Sequence, residues 1–519
     1  MTGATTIPDL VAGAAARFGD QLAVVDGDVR LTYAELGTRS RQISFDLKLS
    51  RIGPGDRVAI WSFNSVEWIL AALGIWQAGA VLVPVNTRFK GAEAADIVLR
   101  SRARALFTAT DFLGTDYVEL LRSAGVDLPG LETTVVVHGP AADGCVAWDA
   151  FVGKGSNDGA LPAVAVDDPS DILFTSGTTG APKGVVQTHG RTARVATDWV
   201  AMTGLQAGDR YLMVNPYFHM FGLKAGILAS IAAGATMLPQ PVFDVDRVLA
   251  RVGEEQVTVL PGAPTLYQSI LDHPDRAQYD LSSLRVAVTG AADIPVELIR
   301  RVRAELPFSL VITGYGLTEA GTATATAADD DPETVATTVG RPRPGFELRV
   351  VDDKGNDVGD GQPGEVVLRG PSVMSHYLDD PAATADALSD DGWLRTGDLG
   401  VIGEDRCLRI VGRSKDMFIV GGFNAYPAEI ENMLLRHPDV QQAAVIGVPD
   451  HRLGEVGMAF VVVRPGGAVT PDAVIEWSRA EMANYKVPRR VEIVADLPLN
   501  ATGKVMKDVL RRRAAGVPA

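Results

Sequence analysis

Residues 175–185 read TSGTTGAPKGV, a stretch that combines small, hydroxylated and basic side chains. Glycines such as Gly177 and Gly180 let a backbone turn tightly and point its amide groups at an anion. An apolar run at 172–174 precedes the stretch and a helix-like pattern begins at Thr188, so we predict a phosphate-binding loop between a strand and a helix. Its hydroxyl and ammonium donors are those of Thr175, Ser176, Thr178, Thr179 and Lys183.

The stretch is not a Walker loop, because Pro182 stands where that loop requires a Gly-Lys-Ser/Thr run. A flexible Ser/Thr/Gly linker is the alternative, although linkers seldom place a lysine after a proline between two apolar elements. The stretch resembles the phosphate loop of the ANL superfamily, the adenylate-forming enzymes that include acyl-CoA synthetases, peptide-synthetase adenylation domains and luciferases. The resemblance extends over nearly the whole chain, because further motifs follow in the order that the family has.

The elements around this loop alternate between helical patterns and short Val/Ile/Leu-rich runs. Such alternation predicts βαβ units and a largely parallel sheet. Beyond residue 340 the pattern changes to short alternating strands, at 346–351, 358–361 and 364–368, which predicts a small antiparallel subdomain. The predicted strands of the main part are 57–62, 80–85, 105–109, 133–138, 211–215, 257–261, 284–289 and 310–313.

The last hundred or so residues have an alternation of their own, with predicted helices at 428–436 and 471–481 and strands at 442–446, 459–463 and 491–494. We therefore predict an α/β fold with a large N-terminal domain, 1–413, and a small mobile α+β C-terminal domain, 414–519. The resemblance implies that this second domain is a lid.

Unusual sequences follow several predicted strands of the main part. Ligands of open α/β sheets bind beyond the carboxyl ends of strands, so these positions are candidate site residues. They are PYFHMFG at 216–222, PGAPT at 261–265, GAA at 290–292 and GYGLTE at 314–319.

The resemblance implies a role for most of these segments, and the small residues of PGAPT suggest one for the remaining segment. Phe218 and His219 would line the acyl and carboxylate site, although a lone histidine among aromatic residues is more often structural. Gly262 and Gly314 would leave room for the substrate, with an ordinary strand-to-helix turn as the alternative at Gly262. The adenine would lie against a backbone of small residues, which are Gly290, Ala291, Ala292 and Gly316.

The resemblance also implies that Tyr315 stacks on adenine, that Thr318 binds the α-phosphate and that Glu319 helps to hold Mg²⁺ together with Thr178. Carboxylate and phosphate oxygens are ligands that Mg²⁺ prefers. For Glu319 an alternative is an acidic residue at a helix N-terminus, where the helix dipole favours a negative charge.

Later motifs extend the resemblance. Asp398, in WLRTGDLG, and Arg413, in VGRSKDM, match the family's ribose-binding residues, and Lys415 matches the hinge about which the lid rotates. Gly421 and Gly422 resemble the loop that lies along the pantetheine tunnel after that rotation. The final match is the segment PLNATGK at residues 498–504, whose terminal Lys504 would neutralise the reacting carboxylate and α-phosphate. A solvated surface lysine is the alternative.

Composition is consistent with a cytoplasmic enzyme. The chain has 519 residues, enough for two or three folded units, and its net charge of −16 argues against a nucleic-acid surface. Cys145 and Cys407 are far apart and outside any metal-like spacing, so we predict neither a disulfide framework nor a zinc site. Residues 66–85 are better explained as a helix and a strand than as a membrane span, and the N-terminus, with Asp9 in its apolar part, does not resemble a signal peptide.

The function that we predict is that of an acyl-CoA synthetase, which joins a carboxylic acid to CoA through acyl-AMP and releases pyrophosphate and AMP. ATP, Mg²⁺ and CoA would be its cofactors, and a homo-oligomer remains open. Lys224 stands in an otherwise apolar segment and could contact a polar group on the acid, or else face solvent or pair with a protein carboxylate. The first option favours a medium-chain or bulky, partly oxygenated acid, including ring-bearing acids such as steroid catabolites.

Three other functions remain open from the sequence. A free-standing adenylation enzyme would load the acyl group onto a separate carrier protein instead of CoA. A luciferase-like oxygenase would share the first half-reaction, and a nucleotide-binding scaffold would not react at all. Product analysis with free CoA, light emission with luciferin and acid-dependent pyrophosphate exchange distinguish the three.

Overall fold

The structure is a computed structural model that describes residues 5–155, 159–175, 182–290, 294–413, 416–420, 423–500 and 504–516. The local sequence determines where helix α1 begins, because the Thr6 hydroxyl accepts a hydrogen bond from the backbone N–H of Asp9 at 3.2 Å and so caps the helix. The α-helices are α1 (Ile7–Phe18), α2 (Tyr33–Leu49), α3 (Val66–Gln77), α4 (Gly91–Ser101), α5 (Tyr117–Ser123), α6 (Trp148–Phe151), α7 (His189–Thr203), α8 (Met220–Gly222), α9 (Ala229–Ala233), α10 (Val245–Glu254), α11 (Pro264–Leu271), α12 (Val296–Glu305), α13 (Pro332–Thr337), α14 (Pro381–Ala387), α15 (Pro427–Leu434), α16 (Pro471–Glu481) and α17 (Lys507–Ala514).

The strands form sheets in both halves of the chain. They are β1 (Leu22–Asp26), β2 (Val29–Thr32), β3 (Arg57–Trp61), β4 (Val81–Pro84), β5 (Ala103–Ala109), β6 (Thr133–His138), β7 (Val146–Ala147), β8 (Pro169–Thr175), β9 (Lys183–Thr188), β10 (Arg210–Met213), β11 (Thr236–Pro239), β12 (Val286–Thr289), β13 (Leu310–Leu317), β14 (Gly321–Ala325), β15 (Arg341–Pro342), β16 (Glu347–Val351), β17 (Gly364–Arg369), β18 (His376–Tyr377), β19 (Leu394–Ile402), β20 (Leu408–Arg413), β21 (Phe418–Val420), β22 (Phe423–Ala425), β23 (Val440–Asp450), β24 (Gly454–Val463) and β25 (Arg490–Ile493).

Two large sheets dominate the N-terminal part. The first has the order β18-β9-β8-β4-β3-β5-β6-β7, and its strands from β8 to β7 are parallel. The second runs β2-β1-β11-β10 and continues through single bridges at Val259 to β12-β13-β14-β15. The largest apolar core contains residues of both sheets and of α1, α2, α3 and α7, so these helices are packed against both sheets. The predicted α/β fold is confirmed.

One local prediction is wrong. The stretch at 175–185 does not connect a strand to a helix, because its last residues begin β9, which pairs antiparallel with β8 from Thr175↔Lys183 to Pro169↔Thr188. The reason is that Val185 and Val186 are buried and β-branched, and they extend the sheet before α7 begins. Residues 176–181, between the two strands, lie outside the described residues.

The smaller sheets follow the predicted change of pattern. Strands β16, β17, β19 and β20 form an antiparallel sheet, although the predicted strand at 358–361 is replaced by a loop. The C-terminal sheet has the order β22-β21-β24-β23, and β25 pairs parallel with β24. None of the helices in the described ranges is long and apolar enough to cross a membrane.

The helical segment from α8 to α9 contains a π-helical insertion at Leu223–Leu228. A π-helix accommodates an extra residue per turn and is frequent at functional sites. Within it, Lys224 Nζ lies 2.8 Å from Asp171 Oδ1 of β8, and the two side chains are 1% and 0% exposed. Burial lowers the pKa of Lys224 and the charge of Asp171 opposes that effect.

Further hydrogen bonds complete this buried ion pair. The hydroxyls of Ser170 and Thr192 donate to Asp171 Oδ2 at 2.6 and 2.7 Å. The pair therefore joins the strand before the phosphate loop to the helical segment beside α7, and breaking it would leave one charge buried without its partner.

We expect Lys224→Met to destabilise the protein by about 3–5 kcal/mol, because it leaves the Asp171 carboxylate uncompensated. Denaturant and thermal unfolding of the full chain measure the loss. Lys48→Met, at an exposed position in the last turn of α2, is the control and should leave stability unchanged. Adding Asp171→Asn to Lys224→Met should recover part of the loss. Equal stability of Lys224→Met and Lys48→Met would contradict the expectation.

Candidate active site

The carboxyl ends of strands from both large sheets meet at one cavity of about 1410 Å³. Phe174 and Thr175 end β8, Thr289 ends β12 and is followed by Gly290, and the second half of β13 forms another wall. The edge strand β18 and the C-terminal part of the chain close the remaining sides. The cavity therefore lies where ligands of open α/β sheets bind, and it brings together most of the described candidate residues.

Tyr315, Asp398 and Arg413 form one corner of the cavity. The Tyr315 hydroxyl donates to Asp398 Oδ2 at 2.7 Å, and Arg413 Nε lies 3.1 Å from Asp398 Oδ1. Burial, followed by the negative charge of Asp398, raises the pKa of Tyr315 well above its usual value. The corner thus offers a neutral phenol ring, a carboxylate and a guanidinium, a set that suits a nucleoside with its ribose hydroxyls.

Glu319 and Lys183 form a second corner, and Tyr377 connects them. The Tyr377 hydroxyl donates to Glu319 Oε1 at 2.9 Å, while Lys183 Nζ lies 4.9 Å from the centre of the Tyr377 ring. Burial raises the pKa of Glu319, and the hydrogen bond from Tyr377 counteracts this effect. Tyr377 therefore stabilises the carboxylate form of Glu319 and places an aromatic face next to the ammonium.

Glu319 could take part in a magnesium site only together with other ligands. No group of three or more His, Cys, Asp and Glu side chains suitable for a metal occurs in the described ranges. Mg²⁺ is usually held by one or two carboxylates together with phosphates and water, so a single buried carboxylate beside a phosphate loop fits it. The second predicted ligand, Thr178, lies outside the described residues.

The acyl side of the cavity contains Phe218 and His219. His219 Nδ1 accepts a hydrogen bond from the backbone N–H of Phe221 at 3.2 Å, and burial lowers the pKa of His219 to about 4. The imidazole is therefore neutral near pH 7. Phe221 packs edge-on against Trp199 with ring centres 5.3 Å apart, which fixes this wall of the cavity.

Close backbone approaches explain several of the glycines. A Cβ at Gly316 would lie 2.3 Å from the Gly321 carbonyl oxygen, and one at Gly290 would lie 2.8 Å from the Gly314 carbonyl oxygen. Larger residues would push β12, β13 and β14 apart where they line the cavity. Thr318 and Gly314 also line the cavity. Gly262 does not line it and packs against Leu266, whereas the nearby residues Pro264 and Thr265 do line it.

Lys504 reaches the cavity from the C-terminal part of the chain. Leu499 and Val505 form a β-bridge, and two hydrogen bonds join Asn500 and Lys504. Asp416 and Arg511 also line the cavity, and Arg511 Nη2 lies 2.5 Å from Asp416 Oδ1. The structure thus places Lys504 in the same cavity as Lys183, Glu319 and His219.

Lys224 requires a correction. Its ammonium is paired with Asp171 and is not part of the cavity lining, although the next residue, Ala225, is. The predicted contact between Lys224 and the acid is replaced by the alternative of a protein carboxylate, since a buried ammonium needs a permanent partner. Other predicted site residues lie outside the described residues: Ser176, Gly177, Thr178, Thr179, Gly180, Ala291, Ala292, Lys415, Gly421 and Gly422.

Sequence reasoning missed several residues of the cavity, among them Tyr377 and Arg88. Tyr377 has no recognisable motif, and its contact with Glu319 depends on β18 pairing with β9. Arg88 follows strand β4. The tendency of ligands to bind beyond the carboxyl ends of strands therefore points to this residue as well.

Comparisons with known proteins agree with this geometry. A family model described as AMP-binding enzyme matches residues 11–378, and one described as AMP-binding enzyme C-terminal domain matches residues 429–504. The 3-[(3aS,4S,7aS)-7a-methyl-1,5-dioxo-octahydro-1H-inden-4-yl]propanoyl:CoA ligase of Rhodococcus jostii (strain RHA1) is 49% identical over 516 residues, which cover 98% of each chain. Feruloyl-CoA synthase of Amycolatopsis sp is 36% identical over 495 residues, which cover 95% of each chain.

Solved structures give the same result. The crystal structure of the anthranilate CoA ligase AuaEII in complex with anthranoyl-AMP has a TM-score of 0.91 and 28% identity, with 100% of this chain and 99% of that chain covered. Because the named relatives are CoA ligases, the alternative of a carrier-protein loader is not favoured. The chain therefore belongs to the AMP-binding enzymes of the adenylate-forming ANL superfamily and is an AMP-forming acid–CoA ligase, whose substrates include ATP and CoA.

Proposed function

We propose that the acid is bulky, ring-bearing and partly oxygenated, of the bicyclic ketone type that the Rhodococcus jostii relative's name describes. The observation that carries this proposal is the 49% identity to that relative over 98% of both chains. The cavity lining supports it, because it contains apolar side chains together with hydroxyl and amide groups. Those lining residues are Trp199, Met202, Leu298, Thr265, Gln268 and Thr337.

A hydroxycinnamic acid is the second candidate, since feruloyl-CoA synthase is 36% identical. Both acids combine a ring system with polar substituents, so both suit a wall of mixed polarity. A plain long-chain acid would leave the hydroxyl and amide groups of the lining without hydrogen-bond partners, which is unfavourable in a buried site.

In the first half-reaction, the carboxylate oxygen of the acid attacks the α-phosphorus of ATP, and the bond to the pyrophosphate oxygen breaks. The difficulty is electrostatic, because an anion must approach a polyanion. Lys504 would neutralise the carboxylate and the α-phosphate, Thr318 would donate to the α-phosphate, and Lys183 would bind the departing phosphates. Mg²⁺, held through Glu319, would supply further charge neutralisation.

In the second half-reaction, the CoA thiolate attacks the acyl carbon and AMP leaves with the electron pair of the broken C–O bond. Asp398, Arg413 and Tyr315 would keep the nucleotide in place through both steps. The lid would rotate about the region of Lys415, withdrawing Lys504 and bringing Gly421 and Gly422 toward the pantetheine. The neutral His219 would line the carboxylate site without adding a charge to it.

A cytoplasmic location and a homo-oligomeric assembly are further proposals. Cys145 and Cys407 are both free thiols, as expected in a reducing cytoplasm. A homo-oligomer remains a prediction, as does the domain boundary between residues 413 and 414, which falls between the two family matches.

Lys504→Ala should reduce acyl-AMP formation by about 100-fold or more, because it removes a charge that acts in the transition state. Acid-dependent exchange of label between pyrophosphate and ATP measures this step. Thioester formation from purified acyl-AMP and CoA should change little, since Lys504 is withdrawn before it. Lys48→Ala serves as a surface control, and full exchange in Lys504→Ala would refute the role of Lys504.

Tyr377→Phe should raise the KM for ATP by about 3- to 10-fold, because Glu319 loses a donor that stabilises its charge. The KM for the acid should stay the same. Tyr279→Phe removes a comparable tyrosine–carboxylate contact, to Asp246 at 3.3 Å, from the surface and should change neither constant. An unchanged KM for ATP in Tyr377→Phe would show that Glu319 does not need this hydrogen bond.

A panel of acids, assayed with ATP, Mg²⁺ and CoA by AMP release, tests the acid class. We expect bicyclic keto acids with a propanoate side chain to have the highest kcat/KM, ahead of ferulate and of a saturated acid with the same number of carbons. A preference for the saturated acid would overturn the proposal for the acid while leaving the ligase activity intact.

A further inference from the structure

Arg88 connects the N-terminal sheet to the segment that carries Lys504. Its Nη1 donates to the backbone carbonyl of Asn500 at 3.3 Å, and both residues line the cavity. Asn500 lies four residues before Lys504 in the chain, whereas Arg88 follows strand β4. The contact therefore spans the cavity at the point where the C-terminal part meets the carboxyl end of the main sheet.

The backbone that carries Arg88 is anchored in the core. Its N–H donates to Asn86 Oδ1 at 2.9 Å, and the Asn86 carbonyl accepts from Trp61 Nε1 at 3.0 Å. Trp61 ends β3 and is 1% exposed. The guanidinium group thus extends from a backbone whose position is set by the sheet, even though the side chain itself reaches solvent.

The other side of the contact is equally well defined. Asn500 Oδ1 accepts from the backbone N–H of Lys504 at 2.9 Å, and the Asn500 N–H donates to the Lys504 carbonyl at 2.8 Å. Because one bond joins the two backbones and the other joins the Asn500 side chain to the Lys504 backbone, a force on the Asn500 carbonyl acts directly on the backbone that presents the ammonium. A hydrogen bond from a charged donor is stronger than one between neutral groups, so Arg88 suits this purpose.

We propose that Arg88 is a positioning residue that holds the lid in the orientation in which Lys504 reaches the reacting carboxylate and α-phosphate. The contact lies at the margin of the cavity and is exposed, so it can be broken when the lid rotates for the second half-reaction. Arg88 therefore acts on acyl-AMP formation and not on thioester formation. This inference rests on the role proposed for Lys504.

The test separates the two half-reactions in the full-length enzyme. Arg88→Ala should lower the kcat of acid-dependent pyrophosphate exchange by about 10-fold, with the KM values for ATP and acid changed by less than about 2-fold. Transfer from purified acyl-AMP to CoA should stay at the wild-type rate. Arg247→Ala, which removes an equal charge from a surface ion pair with Glu254, should leave both rates unchanged.

Lys504→Ala, assayed in parallel, distinguishes failure of the inference from failure of the proposed function. If Lys504→Ala keeps its exchange activity, the role of Lys504 is wrong and the positioning role falls with it. If Lys504→Ala loses exchange while Arg88→Ala keeps it, only the positioning role is overturned. Equal slowing of both half-reactions in Arg88→Ala would also overturn it, because a lid-positioning contact affects the first half-reaction alone.

Discussion

Repulsion between a carboxylate and a triphosphate is the constraint on which the arrangement of this enzyme depends. The chain as a whole has a net charge of −16, so its overall field adds to that repulsion. Positive charge is instead concentrated locally, with Lys183, Arg413 and Lys504 reaching one cavity from different parts of the chain. A site of low dielectric makes these few charges effective at short range.

Separate elements supply those charges, and this explains the division of the fold. Lys183 begins a strand of one large sheet, Arg413 ends a strand of the small antiparallel sheet, and Lys504 belongs to the C-terminal part. Arg413 is proposed to hold the nucleotide through both half-reactions, and it lies on a fixed sheet. Lys504 is proposed to act in the first half-reaction alone, and it lies on the C-terminal part that the proposed lid rotation would move away.

Periodicity and motifs predicted the α/β fold, and most of the candidate residues that the structure describes line the cavity, because strand ends and short loops are encoded locally. Contacts between distant segments were not predictable in this way. The antiparallel strand β9 was missed because its buried valines are compatible with several local structures. The contact of Lys224 with Asp171 and that of Tyr377 with Glu319 both depend on the order of the strands in the sheet, which one sequence does not reveal.

The proposed acid class no longer rests on the residue that first suggested it. Lys224 suggested an oxygenated acid, yet its ammonium is neutralised by Asp171 and does not line the cavity. The same class is now supported by a relative at 49% identity and by hydroxyl and amide groups on α11 and α13. A buried charge signals a partner, and the partner is more often within the protein than in the ligand.

The π-helical segment Leu223–Leu228 has a consequence for how such enzymes diverge. Adding or removing one residue in a helix turns every later side chain by about 100° around the axis. In this segment, neighbouring residues face opposite surroundings, since Lys224 is turned to the core and Ala225 to the cavity. Insertions and deletions of single residues here can therefore exchange the wall of the acyl site in one evolutionary step, without any substitution in the nucleotide-binding half.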